Sequence, residues 1–330
     1  MIVSDSTPPL ITSPATSPVV GIDVSKSRLD VSVWPTSSTH PSAFDNHPKG
    51  HAALIAWLQD VAPRLIVLEA TGGYQRPVVA ALAAAGLPVV VVNPRQVRDF
   101  ARAVGILAKT DALDAAVLAR FGASINPVIR PLLDAQATAL VDLLTRRRQL
   151  IELHTAENNR LAQATAPKVK ASIQAMLTVI KKQIHAIDDE LDGLIQRCPC
   201  WQEKETLLTS VPGIGPQTAR TLLACLPELG QISRQTVAAL VGVAPLNRDS
   251  GTLRGKRTTW GGRKVVRSAL YMATLVATRH NPIIRDHYRK LLGTGKMKKL
   301  ALVACMRKLL VMLNAILRTK TPWRHSLATP

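Results

Sequence analysis

Four carboxylates set the chemistry this sequence can attempt. Asp111 and Asp114 stand three residues apart in Lys109-Thr110-Asp111-Ala112-Leu113-Asp114-Ala115-Ala116, a run of good helix formers, so a helix would project both from one face. An acidic pair at that spacing also suits an ordinary solvated helix surface. Two further acids lie where solvation explains less. Asp23 interrupts the apolar run Val19-Val20-Gly21-Ile22-Asp23-Val24, and Glu69 ends Leu65-Ile66-Val67-Leu68-Glu69. A charged carboxylate inside such a strand is costly unless a cation, a hydrogen-bond network or a metal meets it. Asp23, Glu69, Asp111 and Asp114 are hard oxygen donors suited to one or two Mg2+ ions. Without a metal, four such groups brought together would resist joint ionisation. Two ions about 4 Å apart form a clamp for in-line attack at a phosphodiester.

The elements that must position these acids follow from periodicity. Strands are expected at Val19 to Ser25, Leu29 to Trp34, around Ile66 to Glu69 and along Val89-Val90-Val91-Val92; helices at about Lys49 to Leu58, Gln75 to Ala85, Gln96 to Ile106 and from Asp111 onward. The stretch between Trp34 and Lys49 reads as a loop. Strands alternating with helices indicate a partly parallel sheet with helices on its faces. Acids at the strand ends of such a sheet point into a shared crevice. Residues 1–18, rich in Ser, Thr and Pro, read as a disordered tail.

Past Pro127 and Pro131 the pattern becomes a long helical pair broken near Pro167. Ile173, Leu177, Ile180, Ile184, Ile187, Leu191 and Leu194 alternate spacings of four and three, an a/d seam. It predicts a coiled-coil arm over 131–200 that pairs internally or between subunits. The net charge of +20 is concentrated beyond it. Residues 1–200 hold 20 Lys+Arg against 17 Asp+Glu, and residues 201–330 hold 22 against 5. A segment so basic points to nucleic acid. Aromatic residues are only 3% of the chain, so phosphate charge rather than base stacking should dominate binding. No apolar run is read as long enough for a membrane span, and a cytoplasmic protein is expected. The four cysteines fit a reducing compartment; the close pair Cys198-Pro199-Cys200 is neither a zinc knuckle nor a C-x-x-C redox motif.

Within the basic segment, Val211-Pro212-Gly213-Ile214-Gly215-Pro216 between apolar helical runs has the pattern of a helix-hairpin-helix. Gly213 and Gly215 would let its turn present backbone N–H groups to a phosphate. Downstream, Leu246-Asn247-Arg248-Asp249-Ser250-Gly251-Thr252-Leu253-Arg254-Gly255-Lys256-Arg257 combines glycine, arginine and a hydroxyl, a composition able to wrap a phosphate. Asp-Ser-Gly is equally an ordinary turn. Residues alone therefore leave Ser250 open between nucleophile and turn residue. Arg254, Lys256, Arg257, Arg263, Lys264 and Arg267 are the expected nucleic-acid contacts.

Taken in order, V-G-I-D-V-S-K with Leu29-Asp30-Val31, then L-E-A-T-G-G-Y, V-N-P-R and K-T-D-A-L-D-A resemble the DEDD transposase domain of the IS one-ten group of insertion sequences, relatives of the Piv DNA invertase. V-P-G-I-G-P-Q-T-A, G-V-A-P, S-G, L-Y-M-A and M-R-K-L-L resemble that group's C-terminal domain, so the likeness spans nearly the whole chain after the tail. It implies a RuvC-like, RNase H type α/β domain over 19–130 with Asp23, Glu69, Asp111 and Asp114 as Mg2+ ligands. It also implies a mainly α basic domain over 201–330 with Ser250 as nucleophile; Thr252 and Ser268 are fallback hydroxyls. The implied activity is strand exchange between donor and target DNA through a covalent phosphoserine and a Holliday junction. A structured noncoding guide RNA, the bridge RNA, would choose the sequences. Tetramers built from dimers would combine the metal domain of one subunit with the serine of another. Two other classes stay open: a RuvC-like Mg-dependent junction nuclease attacking with water, and a non-catalytic nucleic-acid-binding protein.

Overall fold

The computed structural model describes residues 17–35, 42–108, 110–129, 134–247 and 249–324. Nearly all of the expected N-terminal tail, with Lys109 and Arg248, lies outside the described residues. The chain divides into two compact units, Met1–Leu132 and Leu133–Pro330.

The first unit runs β1 (Val19–Val24), β2 (Arg28–Trp34), β3 (Ala43–Asp45), α1 (Pro48–Val61), β4 (Leu65–Glu69), α2 (Gln75–Ala84), β5 (Val89–Val92), α3 (Pro94–Ala103) and α4 (Asp111–Ile125). Its sheet has the order β3-β2-β1-β4-β5. The pairs β3/β2 and β2/β1 are antiparallel, whereas β1/β4 and β4/β5 are parallel. The short strand β3, read from sequence as loop, is a partly exposed edge with only three residues to show alternation.

Alternation of side chains across the sheet assigns its two faces. Val20, Ile22, Leu29, Val31, Ile66 and Leu68 pack in one core with Leu54, Leu58, Val78 and Leu82 of α1 and α2. Val19, Leu65, Val67, Val90 and Val92 turn the other way, onto Val97 of α3 and Val117, Leu118 and Phe121 of α4. Gly21 belongs to this second face. A Cβ built on it would lie 2.2 Å from the Ala115 carbonyl oxygen and 2.3 Å from the Ala119 nitrogen, so α4 lies directly on β1. The start of α4 is fixed locally: Thr110 is its N-cap, the hydroxyl accepting from Leu113 N at 3.3 Å.

The second unit runs α5 (Ala135–Gln163), α6 (Pro167–Gln196), α7 (Pro199–Thr209), α8 (Pro216–Cys225), α9 (Arg234–Val241), β6 (Asp249–Ser250), β7 (Leu253–Arg254), α10 (Lys264–His280), α11 (Pro282–Gly293) and α12 (Lys298–Thr319). Proline opens α6, α7, α8 and α11, where its missing N–H is least harmful. The arm pairs internally. Leu140 and Leu150 of α5 bury against Ile180, Ile187, Leu191 and Ile195 of α6, and Arg147 holds Asp188 through two hydrogen bonds of 2.6 and 3.1 Å. The base of the arm is stitched to the helices that follow. Gln217 donates to Asp188 at 2.7 Å, and buried Arg220 meets both Asp192 and Glu205. Arm and basic helices thus fall in one unit.

One expectation is corrected here. The stretch Lys298–Thr319 is long and apolar enough to cross a membrane by length and composition, with a mean hydropathy of 2.0. Its apolar side is core: Cys305, Met306, Leu309, Leu310, Leu313 and Ile316 pack with residues of α7 to α11, and Leu302 is buried as well. Arg307 and Lys308, in the middle of the stretch, break it into two shorter apolar runs in the sequence.

Candidate active site

Parallel pairing of Ile22 with Leu68 sets the next residues, Asp23 and Glu69, at the C-terminal ends of neighbouring strands. Both belong to the sheet face that α4 covers, and Asp111 and Asp114 occupy the first turn of α4. The first unit therefore gathers all four predicted carboxylates at one edge of one layer. Asp23, Glu69 and Asp114 are half-buried and Asp111 is exposed. Burial, followed by the negative charges of Asp114, Asp111 and Asp30, pushes the Asp23 carboxyl above its usual range, partly offset by a hydrogen bond from the Val24 backbone. The acids at the start of α4 also suit the positive end of the helix dipole, worth about 0.3–1 kcal/mol each.

Asp30 was not among the candidates. It lies opposite Asp23 in the antiparallel register, is only 6% exposed, and accepts from Arg28 Nε at 3.0 and 3.2 Å. Its signal in the sequence was an acid inside the apolar strand Leu29 to Trp34. Among the described residues, no three His, Cys, Asp or Glu side chains stand close enough together to hold a metal ion. In chemistry and placement the set nevertheless suits a divalent cation: two hard oxygen donors end neighbouring strands under α4, two more stand in the first turn of α4, and burial, followed by their charges, raises the Asp23 carboxyl. Coordination would require the side chains to draw together.

The turns after the two acid-bearing strands are braced by residues that sequence reasoning passed over. Asn46 Nδ2 donates to the Ser25 carbonyl at 2.8 Å and to the Tyr74 carbonyl at 3.3 Å, joining the turn after β1 to the turn after β4. His51 Nε2, on α1, lies 2.8 Å from Asn46 Oδ1. His51 is buried, and that burial, with nearby His47, lowers its pKa. Gln75 Oε1 accepts from the N–H groups of Thr71 and Gly73 at 3.2 and 3.0 Å, closing the glycine turn after Glu69.

In the second unit, Ser250 lies on the first strand of a two-residue hairpin. Asp249 pairs with Arg254 and Ser250 with Leu253, while Gly251 turns the chain with φ +55°. Such tight hairpins favour glycine at positive φ. Ser250, Thr252, Arg254, Lys256 and Arg257 are all exposed. Below the hairpin, Leu246 bridges to Thr258, and the backbones of Gly242 and Gly262 meet so closely that a Cβ on Gly262 would lie 2.3 Å from Gly242 N. The six expected basic contacts separate into two groups. Arg254, Lys256, Arg257 and Lys264 are exposed to solvent. Arg263 instead grips Glu228 with two bonds of 2.6 Å and the Cys225 carbonyl at 2.8 Å, and Arg267 donates to the Gly261 carbonyl.

Between α7 and α8, Gly213 has φ +102° and leaves no room for a side chain, because a Cβ there would come within 2.7 Å of Ala277 on α10. Gly215, the N-cap of α8, faces open space, and no side chain caps the helix. Gly213 thus has a packing reason for its identity. Gly215 presents no side chain to cap α8, whose first residue, Pro216, carries no N–H.

Comparison with known proteins finds two family matches along the chain, the first of which runs past the boundary between the two units and through α5. Residues 20–165 match a transposase family defined by the DEDD motif and the IS110 element, and residues 205–289 match the family described as "Transposase IS116/IS110/IS902 family". The pilin gene-inverting protein of Moraxella bovis is 29% identical over 316 residues, spanning 92% of this chain and 97% of that protein. An uncharacterized 43.6 kDa protein of insertion element IS110 from Streptomyces coelicolor is 26% identical over 238 residues, 62% of this chain and 57% of that protein. These matches define the class as insertion-sequence transposases, recombinases that act on DNA. Within it, the chain belongs to the IS110 family.

Proposed function

We propose that this transposase exchanges DNA strands through a covalent link to Ser250, with Asp23, Glu69, Asp111 and Asp114 holding one or two Mg2+ ions in a RuvC-like domain. The reading is carried by the placement of Asp23 and Glu69 at strand ends on the face of a β3-β2-β1-β4-β5 sheet that α4 covers, with Asp111 and Asp114 in the first turn of that helix and the Asp23 carboxyl raised by burial and then by their charges. The antiparallel β2 beside a parallel β1/β4/β5 set supports the RNase H type assignment. Bound Mg2+ would supply charge stabilisation to the phosphate under attack. The Ser250 hydroxyl would form a new P–O bond as a deoxyribose oxygen leaves and takes up a proton. A serine is a weak nucleophile at neutral pH without activation. Since serine and carboxylates belong to separate compact units, a site completed between subunits of a dimer-based tetramer would keep the enzyme silent until assembly.

Donor and target DNA would be held along the exposed Arg254, Lys256, Arg257 and Lys264, with Gly215 offering the backbone of α8. A surface of this kind grips phosphates without reading bases. It is suited to a noncoding bridge RNA that supplies the choice of sequence by pairing. The Moraxella bovis relative's name, a pilin gene-inverting protein, supports reading this chain as one that rearranges DNA. The setting is cytoplasmic, at the nucleoid.

The test is a denaturing gel of the full chain with labelled element-end DNA, guide RNA and Mg2+. A slow adduct that survives denaturation and is lost in Ser250→Ala is the expected result. Nicked DNA without adduct in both proteins would replace the proposal with a water-using nuclease, and binding without cleavage would reduce the protein to a binder.

A further inference from the structure

We propose that Cys198 and Cys200 form a vicinal dithiol that reacts with low-molecular-weight disulfides and closes to an intramolecular disulfide. The two sulfurs are 3.2 Å apart where α6 hands over to α7, Cys198 being the N-cap of α7 and Cys200 lying in its first turn. Cys198 is half-buried and Cys200 is exposed, so small reagents reach the pair. Spacing alone gave no reason to expect this, because a C-P-C sequence fits neither the zinc nor the C-x-x-C pattern. The helix start folds the two side chains onto one another.

The site differs from the chain's other thiols. Cys198 is pushed toward its thiolate by the hydrogen bond from Cys200, with further help from the Trp201 and Cys200 N–H groups at the start of α7, a setting that activates cysteine. Cys200 is raised chiefly by its hydrogen bond with Cys198 and by burial, with a smaller opposing effect of Lys204. Cys225 is raised by burial, and Cys305, fully buried, is pushed up to about 11. Those two are packed as small apolar side chains in the cores around α8 and α12.

The exchange balances without a metal or enzyme. The Cys198 thiolate attacks one sulfur of glutathione disulfide, forming a mixed disulfide and releasing one glutathione thiolate. Cys200 then loses its proton to solvent and attacks the Cys198 sulfur, expelling the second glutathione thiolate. The protein gives up two electrons and two protons, and the reagent leaves as two thiols. The sulfurs start about 1.2 Å beyond the 2.0 Å bond they would form.

The full chain, reduced and desalted, is exposed to glutathione disulfide, quenched by alkylation and analysed by intact mass and peptide mapping. The expected product is a monomer lighter by two hydrogens, with the bridge confined to the peptide containing residues 198 to 200. It should form about tenfold faster than any modification of Cys225. Cys200→Ser should stop at a stable glutathione adduct on Cys198. Two stable glutathione adducts on the wild type, or modification of Cys225 as fast as the pair, would overturn the proposal. None of these outcomes depends on the DNA chemistry, so this inference and the proposed function stand or fall separately.

Discussion

Asp23 and Asp30 face one another across β1 and β2, in register and on the sheet face that α4 covers. Two carboxylates so placed repel, and the structure settles only one of them. Arg28 closes over Asp30 with two bonds from Nε, while Asp23 is left with its carboxyl raised by burial and by its acidic neighbours. The crowding of charge at Asp23 is therefore built into the sheet before any ligand arrives.

That strain gives a first prediction. Asp23→Asn should stabilise the metal-free protein at neutral pH by up to about 1 kcal/mol, allowing for solvent screening at a half-exposed site. The sign follows from linkage: a carboxyl raised on folding loses stability as pH climbs through its folded pKa. Thermal melts with and without Mg2+ check it. Mg2+ should raise the melting temperature of the wild type and leave Asp23→Asn unmoved, and the reverse pattern would remove Asp23 from the metal site.

The contact of α4 with β1 makes Gly21 sensitive. Gly21→Ala inserts a methyl where backbone atoms of Ala115 and Ala119 already stand at 2.2 and 2.3 Å. The helix must lift, at a cost of about 1–3 kcal/mol or more, carrying Asp111 and Asp114 away from Asp23. Urea unfolding should show the loss. Because the change alters no charge, reduced cleavage in protein that remains folded at low temperature would report displacement of the acids.

His51 supplies a pH signature. Its pKa is lowered by burial and by His47, so the unfolded chain takes up a proton first as pH falls from about 6.5. Stability is then fully present above that pH and declines below it until the folded imidazole also protonates. His287, lowered by burial, Lys308 and Lys290, adds in the same direction. Melting temperatures between neutral and mildly acid pH should fall, with a shallower slope in His51→Gln. A variant slope equal to that of the wild type would mean that His51 is not a buried neutral group.

Two arginines near the serine hairpin should behave differently. Arg257→Ala should weaken DNA binding without regard to sequence and lower the salt slope by about 1. Arg263→Ala should leave that slope unchanged and destabilise the fold by about 1–3 kcal/mol, since Glu228 loses its partly buried partner. Binding isotherms over a range of salt, paired with melts, distinguish the two roles.

Much of the first unit could be read from its short apolar runs. Val19 to Ile22 marked a buried strand, and the acid interrupting it marked Asp23. Asp111 and Asp114 were visible as a helical pair, yet their nearness to Asp23 depends on α4 crossing β1 at Gly21, a tertiary contact with no local pattern. Asn46 was hidden because its partners are two backbone carbonyls, distant in sequence and set by turn geometry. The internal pairing of the arm was undetermined for a similar reason: the α6 seam specifies an apolar stripe but not which helix fills it. Arg263 and Arg257 look alike in a list of basic residues. Only Glu228, 35 positions upstream of Arg263, separates them.

The arm has a mechanical consequence. With 29 and 30 residues, α5 and α6 are each roughly 45 Å long, and their bend is fixed near Pro167. Polar bonds from Arg147, Gln217 and Arg220 clamp the proximal end, while Leu153, Val169, Met176 and Val179 are exposed toward the distal end. Such an anchored pair of helices has a defined length. Its tip sits at a set reach from its own base, and adding or removing a heptad from both helices would shift that reach by about 10 Å while preserving the seam.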